Sequence, residues 1–289
     1  MTVGTWPIYE EFVAMNAKVA IPTTFQCTFI AEELVDDPGM PWNFKPLLPA
    51  RDVYNGVKVV NDMGKALGMT MIPTCIPYMH LSVPRFGEMH AWMESNAAAF
   101  ANVMIGARVN RDPANMVFYA AFTGITPEYG LLLDENRRGQ IIFEIDPALV
   151  SELTDEADFV ALGGAIGFKA VEKVPVVVGL SDMTNAQAKA FIACVSPAMT
   201  YPMIHVVGVT PEAPTIEAAF GGEVPKDVER IRISKSDIAD VYQGIHNTDQ
   251  LEIDGACIGC PFLIYDELVK LADMLAGKKV CKPLWLYTD

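Results

Sequence analysis

The sequence predicts an α/β fold in which short, partly parallel strands form layered sheets with helices on their faces. Runs typical of strands alternate with runs typical of helices along the chain, which is the pattern of such folds. Hydrophobic residues make up 51% of the 289 positions, enough to bury a sizeable core. The 21 glycines and 20 prolines are spread along the chain and indicate many short turns.

The predicted helices are runs whose apolar residues are spaced to form a buried face. Gly68, Gly124 and Gly277 follow three of these runs, at the position where glycine commonly ends a helix. Gly163 and Gly164 lie inside another run and indicate that a second backbone approaches it closely. In chain order, the predicted helices cover residues 8–16, 57–67, 89–105, 116–123, 159–166, 185–194, 236–244 and 265–275.

The predicted strands are short runs rich in apolar and β-branched residues. The strand at 69–72 leads into Thr74 and Cys75 in a proline-bounded turn, and the end of a strand is a suitable place for a ligand. Residues 31–55 are rich in proline and aspartate and predict a surface loop. In chain order, the predicted strands cover residues 18–22, 69–72, 140–145, 174–180, 201–207, 229–233, 256–260 and 283–287.

The net charge of −15 argues against nucleic acid or an anionic membrane surface as a partner, because both require a basic face. The N-terminus lacks the basic and apolar regions of a secretory signal. No run approaches the roughly 18 apolar residues of a membrane-spanning helix. We therefore expect a soluble cytoplasmic protein. The six scattered cysteines favour free thiols or metal ligands over a disulfide framework.

The stretch from residue 69 to residue 111 carries an unusual number of polar groups within apolar sequence. Glu94, Ser95 and Asn96 interrupt the apolar surface of the predicted helix 89–105. Buried polar groups cost free energy unless they are paired, so these side chains require partners among themselves, the backbone, a ligand or a metal. A satisfied polar network within the core is the alternative interpretation.

Two arginines follow the end of this predicted helix, Arg108 and Arg111, with Asn110 between them. As fixed cations they would complement the negative end of a helix dipole. They would equally hold an anionic substrate, because guanidinium presents a planar fork that matches carboxylate or phosphate. The residues alone leave both interpretations open.

Five motifs occur along the chain in this order: TCIPY, FGEMHAWMESNAAAFANVMIGARVNR, TGITPEYGLLLDENRR, IHVVGVTPEAP and IGCPF. Together they resemble the large subunit of aconitase X, a hydro-lyase family of the aconitase superfamily. The resemblance runs from about residue 19 to residue 286 and implies an aconitase-like catalytic domain over residues 1–289. Two α/β subdomains, 1–150 and 151–289, are one interpretation of that domain.

The resemblance implies dehydration of a small anionic hydroxy acid, similar to phosphomevalonate or to aconitate, with an iron or iron–sulfur centre. Cys75 and Cys260 match family cysteines that bind such a centre, for which thiolates are the expected ligands. Buried free cysteines are the alternative interpretation of both residues.

The resemblance also implies roles for polar residues in the matching motifs. Candidates for contacts to metal, water or the substrate hydroxyl are Glu88, Glu94, Ser95 and Asn96. The alternative for His205, at a predicted strand end, is a satisfied core histidine. Candidates for substrate binding are Thr23, Thr24, Thr74, Arg108, Asn110, Arg111 and His205.

The chain departs from the family pattern in four respects. We expect it to lack the N-terminal segment of the family, and also a C-terminal segment that contains a third cysteine. Phe262 stands where the family commonly has histidine after Cys-Pro. The proton-abstracting serine of the superfamily lies on a smaller swivelling domain, and the chain offers no candidate for it. We therefore expect a small partner subunit to supply the base.

Three functions remain as alternatives. The motifs TPEYGLLLDENRR and VVGVTPEAP resemble archaeal members that dehydrate phosphomevalonate. A phosphate pocket requires a further cation, which Arg137, Arg138 or Lys169 would supply. Dehydration of cis-3-hydroxyproline is the enzymatic alternative. A non-catalytic homologue that binds a partner subunit or a ligand is an alternative of a different class, favoured by the departures from the family pattern.

Overall fold

A computed structural model describes residues 6–26, 50–246 and 252–288 of the chain. Every strand pair within these ranges is parallel, which confirms the predicted α/β class. The strands are β1 (Thr24–Phe25), β2 (Thr70–Met71), β3 (Ile141–Ile145), β4 (Pro175–Val178), β5 (His205–Val206), β6 (Arg230–Ile233), β7 (Ala256–Leu263) and β8 (Leu284–Thr288).

Helices connect and cover these strands. The helix Ser95–Phe100 continues into a π-helical turn over Ala101–Ile105. This turn ends at Gly106, which is in the left-handed conformation. Within the described ranges, none of the helices is both long enough and apolar enough to cross a membrane. The α-helices are α1 (Trp6–Ala14), α2 (Ala50–Ala66), α3 (Ser95–Phe100), α4 (Ala114–Thr123), α5 (Pro147–Val150), α6 (Glu156–Ala170), α7 (Asn185–Ala198), α8 (Ile216–Ala219), α9 (Lys235–Ile245) and α10 (Tyr265–Leu275).

The core is built on a four-stranded sheet with the strand order β5-β4-β3-β6. Phe143 and Val177 point from one face into a large apolar cluster formed with α6 and α7. Ile142 and Val176 point from the other face into a smaller cluster formed with α8. The central strands are therefore buried on both faces, as is usual for parallel sheets. A domain boundary at residue 150 would separate β3 from both of its neighbours in this sheet.

The close packing of α6 on α7 depends on small residues where the two helices meet. A Cβ atom on Gly163 would lie 2.3 Å from the carbonyl oxygen of Phe191. A Cβ atom on Gly167 would lie 2.7 Å from the Cβ atom of Ala198. This contact confirms that a second backbone approaches the glycine-containing helix.

Two predictions for the first half of the chain are wrong. Residues 18–22 form no strand, and the neighbouring strand β1 begins only at Thr24. The helix predicted over 89–105 begins at Ser95 as α3. The residues before it are extended, and Met89 forms a parallel bridge with residue 108 instead of a helical turn.

Part of the sequence-based prediction lies outside the described residues, namely Cys27 and most of the predicted loop, 31–49. The last residues of that loop, from Ala50 onward, belong to α2. The strand predicted over 201–207 is confined to His205–Val206.

We expect Gly163→Ala to lower the free energy of unfolding by about 1–3 kcal/mol, because the added methyl group overpacks the contact with α7. Gly244→Ala is the matched control in α9, where nothing lies within 4 Å of the added methyl group. That change should leave stability unchanged or raise it by up to about 1 kcal/mol. Urea unfolding followed by circular dichroism measures both, and equal effects would contradict the packing argument.

Candidate active site

Cys75 lies at the centre of a polar cluster just beyond the end of β2. Its sulfur accepts a hydrogen bond from the backbone N–H of Phe262 at 3.2 Å. Burial raises the pKa of the Cys75 thiol to about 11; this N–H opposes the rise, and the negative charges of Glu94 and Cys260 add to it. The fold thus brings Cys75, Glu94 and Cys260 together from distant parts of the chain.

Glu94 is fixed at the N-terminus of α3, where it acts as the N-cap. Its carboxylate accepts a hydrogen bond from the backbone N–H of Asn96 at 3.1 Å and another from that of Ala97. These bonds satisfy helix N–H groups that have no partner within the helix. Burial raises the pKa of Glu94, and the two backbone N–H groups oppose that rise. The carboxylate therefore lies beside the thiols in a half-buried position.

Asn96 presents a buried acceptor in the same cluster. Its side-chain nitrogen donates to the hydroxyl of Tyr78 at 2.5 Å, and the Tyr78 ring stacks on Phe100 with centroids 4.2 Å apart. Its Oδ1 atom is buried and has no hydrogen-bond partner among the described residues. Because buried acceptors in native proteins are almost always paired, this oxygen indicates a contact to a ligand or to water.

The backbone turn that carries Cys75 is held by Thr74. Thr74 is completely buried, and its hydroxyl accepts a hydrogen bond from the backbone N–H of Ile76 at 3.1 Å. This contact shapes the turn beside the thiol.

The thiol pair fits part of a ligand set for iron or an iron–sulfur cluster. Such clusters are usually held by four thiolates, and soft sulfur ligands suit them. Cys75 is half-buried and Cys260 is exposed, so one side of the pair is open. Across residues 6–26, 50–246 and 252–288, no group of three His, Cys, Asp or Glu side chains is placed to hold a metal. The remaining ligands would have to come from outside these ranges.

The three polar residues after the π-helical turn bind other parts of the protein. Arg108 donates to the carbonyl of Leu132 at 3.0 Å and forms an ion pair with Asp134. Asn110 accepts a hydrogen bond from the backbone N–H of Leu131 at 2.6 Å and thereby holds the turn before the 3₁₀ helices. Both side chains therefore organise the segment that follows α4.

Arg111 binds the C-terminal end of α7. Its guanidinium donates to the carbonyl oxygens of Ser196 at 3.0 Å and Thr200 at 2.9 Å. A cation is stabilising at the carbonyl end of a helix. Arg111 thus complements a helix C-terminus, but the helix is α7 and not the one that precedes it in sequence.

Arg137 is a buried cation whose donors are used by the protein. It pairs with Glu212 and donates to the side chain of Asn102 and the carbonyl of Ala107, each at 3.0 Å. Lys169 is likewise paired, with Asp237 at 3.0 Å. Of the three residues considered for a phosphate pocket, Arg138 and Lys169 are exposed, and of these two only Arg138 has no ion pair within the described ranges.

His205 lies at the start of β5 with only 2% of its surface exposed. Its Nε2 is 2.7 Å from the carbonyl oxygen of Arg137. With the proton on that nitrogen, the buried Nδ1 is an acceptor without a partner in the described part of the chain. Burial lowers the pKa of His205 below its ordinary value of 6.5. The imidazole is therefore neutral near pH 7.

Three further predicted site residues, Glu88, Thr23 and Thr24, lie on other elements of the structure. Glu88 is exposed, and its carboxylate binds the backbone N–H of Arg85 at 2.8 Å and His90 at 3.3 Å. The hydrogen bond from Arg85 is the main cause of its lowered pKa. Thr23 and Thr24 lie at the beginning of β1, next to the beginning of β2.

Ser95 opens α3 and links it to α7. Its hydroxyl hydrogen-bonds to Glu94 and lowers the pKa of that carboxyl, and its carbonyl oxygen accepts from Ser196 at 2.8 Å. The fold therefore brings Cys75, Glu94, Ser95, Asn96 and Cys260 into one region.

Sequence reasoning missed two residues of this region, Tyr78 and Lys189. Tyr78 follows Cys75 in the TCIPY motif, and its position in that motif was the signal available for it. Lys189 lies within α7, outside all of the motifs, and no feature of the sequence pointed to it. It is 2% exposed and donates to the carbonyl of Phe262 at 2.7 Å. The Phe262 ring packs in the core and is stacked on Tyr287, so apolar packing occupies the position where the motif resemblance led us to expect histidine.

The sequence matches the profile of the aconitase X first domain over residues 1–135 and that of the aconitase X second domain over residues 139–243. The chain belongs to the aconitase X family, which confirms the resemblance seen in its motifs. The two profiles meet just before β3.

Named relatives in this family are dehydratases. Cis-3-hydroxy-L-proline dehydratase of Pseudomonas aeruginosa is 30% identical over 93% of this chain and 44% of the relative. The phosphomevalonate dehydratase large subunit of Methanocaldococcus jannaschii is 34% identical over 74% of this chain and 52% of the relative. The chain spans about half the length of these curated relatives.

A solved structure confirms the aconitase-like fold. The crystal structure of Thermococcus kodakaraensis aconitase X in its holo-form matches 98% of this chain and 66% of that chain. The TM-score is 0.81 and the sequence identity is 28%.

The buried state of His205 predicts that stability falls at mildly acidic pH. Well above about pH 6.5 the imidazole is neutral in both the folded and the unfolded chain. As the pH falls below this value, the unfolded chain takes up the proton first, because burial lowers the pKa in the folded chain. The free energy of unfolding then decreases by at most about 1.4 kcal/mol per pH unit from this group.

His205→Gln separates this effect from the titration of other groups. The glutamine amide can still donate to the carbonyl of Arg137, but it does not titrate. Urea unfolding between about pH 7.5 and pH 5 should show a smaller loss of stability in the variant than in the wild type. An identical pH dependence in both proteins would contradict the assignment.

Proposed function

We propose that this chain forms the catalytic large-subunit part of an aconitase X type hydro-lyase that dehydrates a small anionic hydroxy acid. The observation that carries the proposal is the convergence of Cys75, Glu94 and Cys260 in one cluster. The family relatives named above are dehydratases, which supports the same reaction class. Because the chain spans about half of their length, its own activity and substrate are part of the proposal.

Cys75 and Cys260 are proposed to hold iron or an iron–sulfur centre together with ligands from outside the described residues. When bound, such a centre would supply a Lewis acid for loss of the substrate hydroxyl. The open side of Cys260 leaves room for those further ligands. Metal binding would also hold both thiols as thiolates, against the raised pKa of Cys75.

Glu94, Ser95 and Asn96 are proposed to contact the substrate next to the thiols. The unpaired Oδ1 of Asn96 can accept a hydrogen bond from a substrate hydroxyl. The carboxyl of Glu94 has a raised pKa, so it can exchange a proton closer to neutral pH than an exposed glutamate. The catalytic role of Glu88 stays a prediction, since its carboxylate has local partners at the surface.

Arg108 is the most suitable of the predicted anion-binding residues. Its partner Asp134 has a side chain that is 78% exposed, so an incoming carboxylate or phosphate could replace it. Arg111 and Asn110 would support the pocket by holding its backbone. The substrate contacts of Thr23, Thr24, Thr74 and His205 stay predictions.

A small partner subunit is proposed to supply the base that removes the substrate proton. The name "large subunit" of the archaeal relatives implies a second subunit in those enzymes. Phosphomevalonate and cis-3-hydroxyproline are the two substrates to be tested, because relatives named for each occur at similar identity.

A non-catalytic binding subunit is the second candidate. It is favoured by the presence of only two cysteines in the cluster, among the residues that the structure describes, and by the aromatic packing of Phe262. In that case the chain would bind its partner without dehydrating either substrate.

The first test measures iron and acid-labile sulfide per chain in protein purified without oxygen together with its small subunit. We expect both elements in the wild type and their loss in Cys75→Ala and in Cys260→Ala, because each variant removes one of the two thiolates. Cys281→Ala, which removes another exposed thiol, is the matched control and should retain the metal. Wild-type protein that cannot be loaded with iron would reject the iron centre.

The second test measures dehydration of both substrates by the assembled enzyme. Glu94→Gln should lower kcat/KM by about 10²-fold, as is typical when a group that transfers protons is removed. Glu172→Gln, at an exposed position in the loop after α6, is the control and should be fully active. Loaded protein that acts on neither substrate would favour the binding-subunit alternative.

A further inference from the structure

A buried ion pair joins α7 to the start of α10. The ammonium group of Lys189 lies 2.6 Å from Oε2 of Glu267, and their side chains are 3% and 12% exposed. Glu267 also accepts a hydrogen bond from the backbone N–H of Ile264 at 2.8 Å, so it holds the first turn of α10. Burying two charges is costly unless their geometry is kept, so this pair fixes the relative position of the elements that carry it.

Lys189 also binds the backbone near Cys260. Its ammonium donates to the carbonyl oxygen of Phe262 at 2.7 Å. The N–H of Phe262 donates to the sulfur of Cys75 at 3.2 Å. Phe262 lies two positions after Cys260. Its carbonyl oxygen is bound by Lys189 of α7, and its N–H is bound by Cys75.

The other ion pair between this part of the chain and the core is more exposed. α10 is described along its whole length and buries none of its residues. Its ion pair with α6, between Lys270 and Glu156, has side chains that are 48% and 30% exposed. Exposed pairs of this kind contribute little to stability or placement. The buried pair is therefore the stronger polar link between β7–α10 and the core.

We propose that Lys189 and Glu267 are positioning residues that hold Cys260 beside Cys75. They act through the backbone of Phe262 and make no contact with either thiol in the structure. The use of the two thiols as metal ligands rests on the proposed function. Their proximity does not, so it can be tested without metal or substrate.

The test uses phenylarsine oxide, which binds tightly only where two thiols lie close enough to attach to one arsenic atom. Each thiol forms an As–S bond and gives up its proton, and the arsenic oxygen leaves as water. The full chain is used with Cys257→Ser and Cys281→Ser, so that the neighbouring exposed thiols do not compete. Cys75→Ser in this background should weaken binding by about 10²-fold or more, because the chelate effect is lost.

The test variant is Lys189→Met/Glu267→Gln, which removes both charges of the buried pair. A double variant is used because removal of one charge alone would leave the other buried and unpaired. We expect arsenical affinity to fall by about tenfold or more, because the effective concentration of the second thiol decreases. Lys270→Met/Glu156→Gln removes the exposed pair between α10 and α6 and should bind as tightly as the parent. Circular dichroism establishes that each variant is folded at the temperature used.

A folded double variant that binds the arsenical as tightly as the parent would overturn the proposal. Should that variant fail to fold, Lys189→Leu/Glu267→Gln takes its place, because it removes the same two charges and the amide at position 267 can still accept the N–H of Ile264. Unchanged affinity in that variant would also overturn the proposal. Failure of the iron test with intact arsenical binding would reject the metal centre but leave the positioning role in place.

Discussion

The guanidinium of Arg137 lies buried between the two ranges that match the aconitase X domain profiles. It donates to Asn102 and Ala107 in the first range and pairs with Glu212 in the second. Its own carbonyl oxygen contacts His205 on the central sheet. A buried guanidinium is stable only when its donors are satisfied, so these segments must keep one relative arrangement. The π-helical turn after the candidate site and the edge strand β5 are both fixed by it.

The candidate site is assembled around that fixed arrangement by backbone groups as much as by side chains. Glu94 is held by the first N–H groups of α3, and Cys75 is held by the N–H of Phe262. Both residues are therefore placed by elements whose own positions depend on the core. A site held in this way is preorganised, since its fixed polar groups need little rearrangement when a ligand binds.

Local signals in the sequence predicted much of the fold. α10 covers the predicted range 265–275, and α4 ends at the predicted Gly124, whose left-handed backbone favours glycine. The run containing β4 was recognised from its β-branched residues, because a strand buried on both faces is almost entirely apolar. The run containing β3 was recognised from its alternation. The polar cluster at 94–96 was also visible as an interruption of apolar sequence.

Long-range partners could not be predicted, because composition does not show which distant group a side chain meets. Arg111 was recognised as a residue suited to carbonyl or carboxylate oxygens, but its partners lie at the end of α7. The start of α3 was misplaced because the apolar residues before it suit an extended segment as well as a helix. Lys189 gave no signal, since an isolated lysine in a helix is usually exposed.

The contact between Cys75 and Phe262 spans 187 residues of sequence. At the usual speed of protein synthesis, Cys75 leaves the ribosome roughly 10 to 40 s before its partner segment does. The loop between them must close before the two thiols can meet, and this closure carries an entropic cost that local contacts do not have. Pairing of the thiols is therefore a late event in the maturation of the chain. A centre that needs both sulfurs would be complete only when β7 and Cys75 have come together, so its loading would depend on this long-range closure.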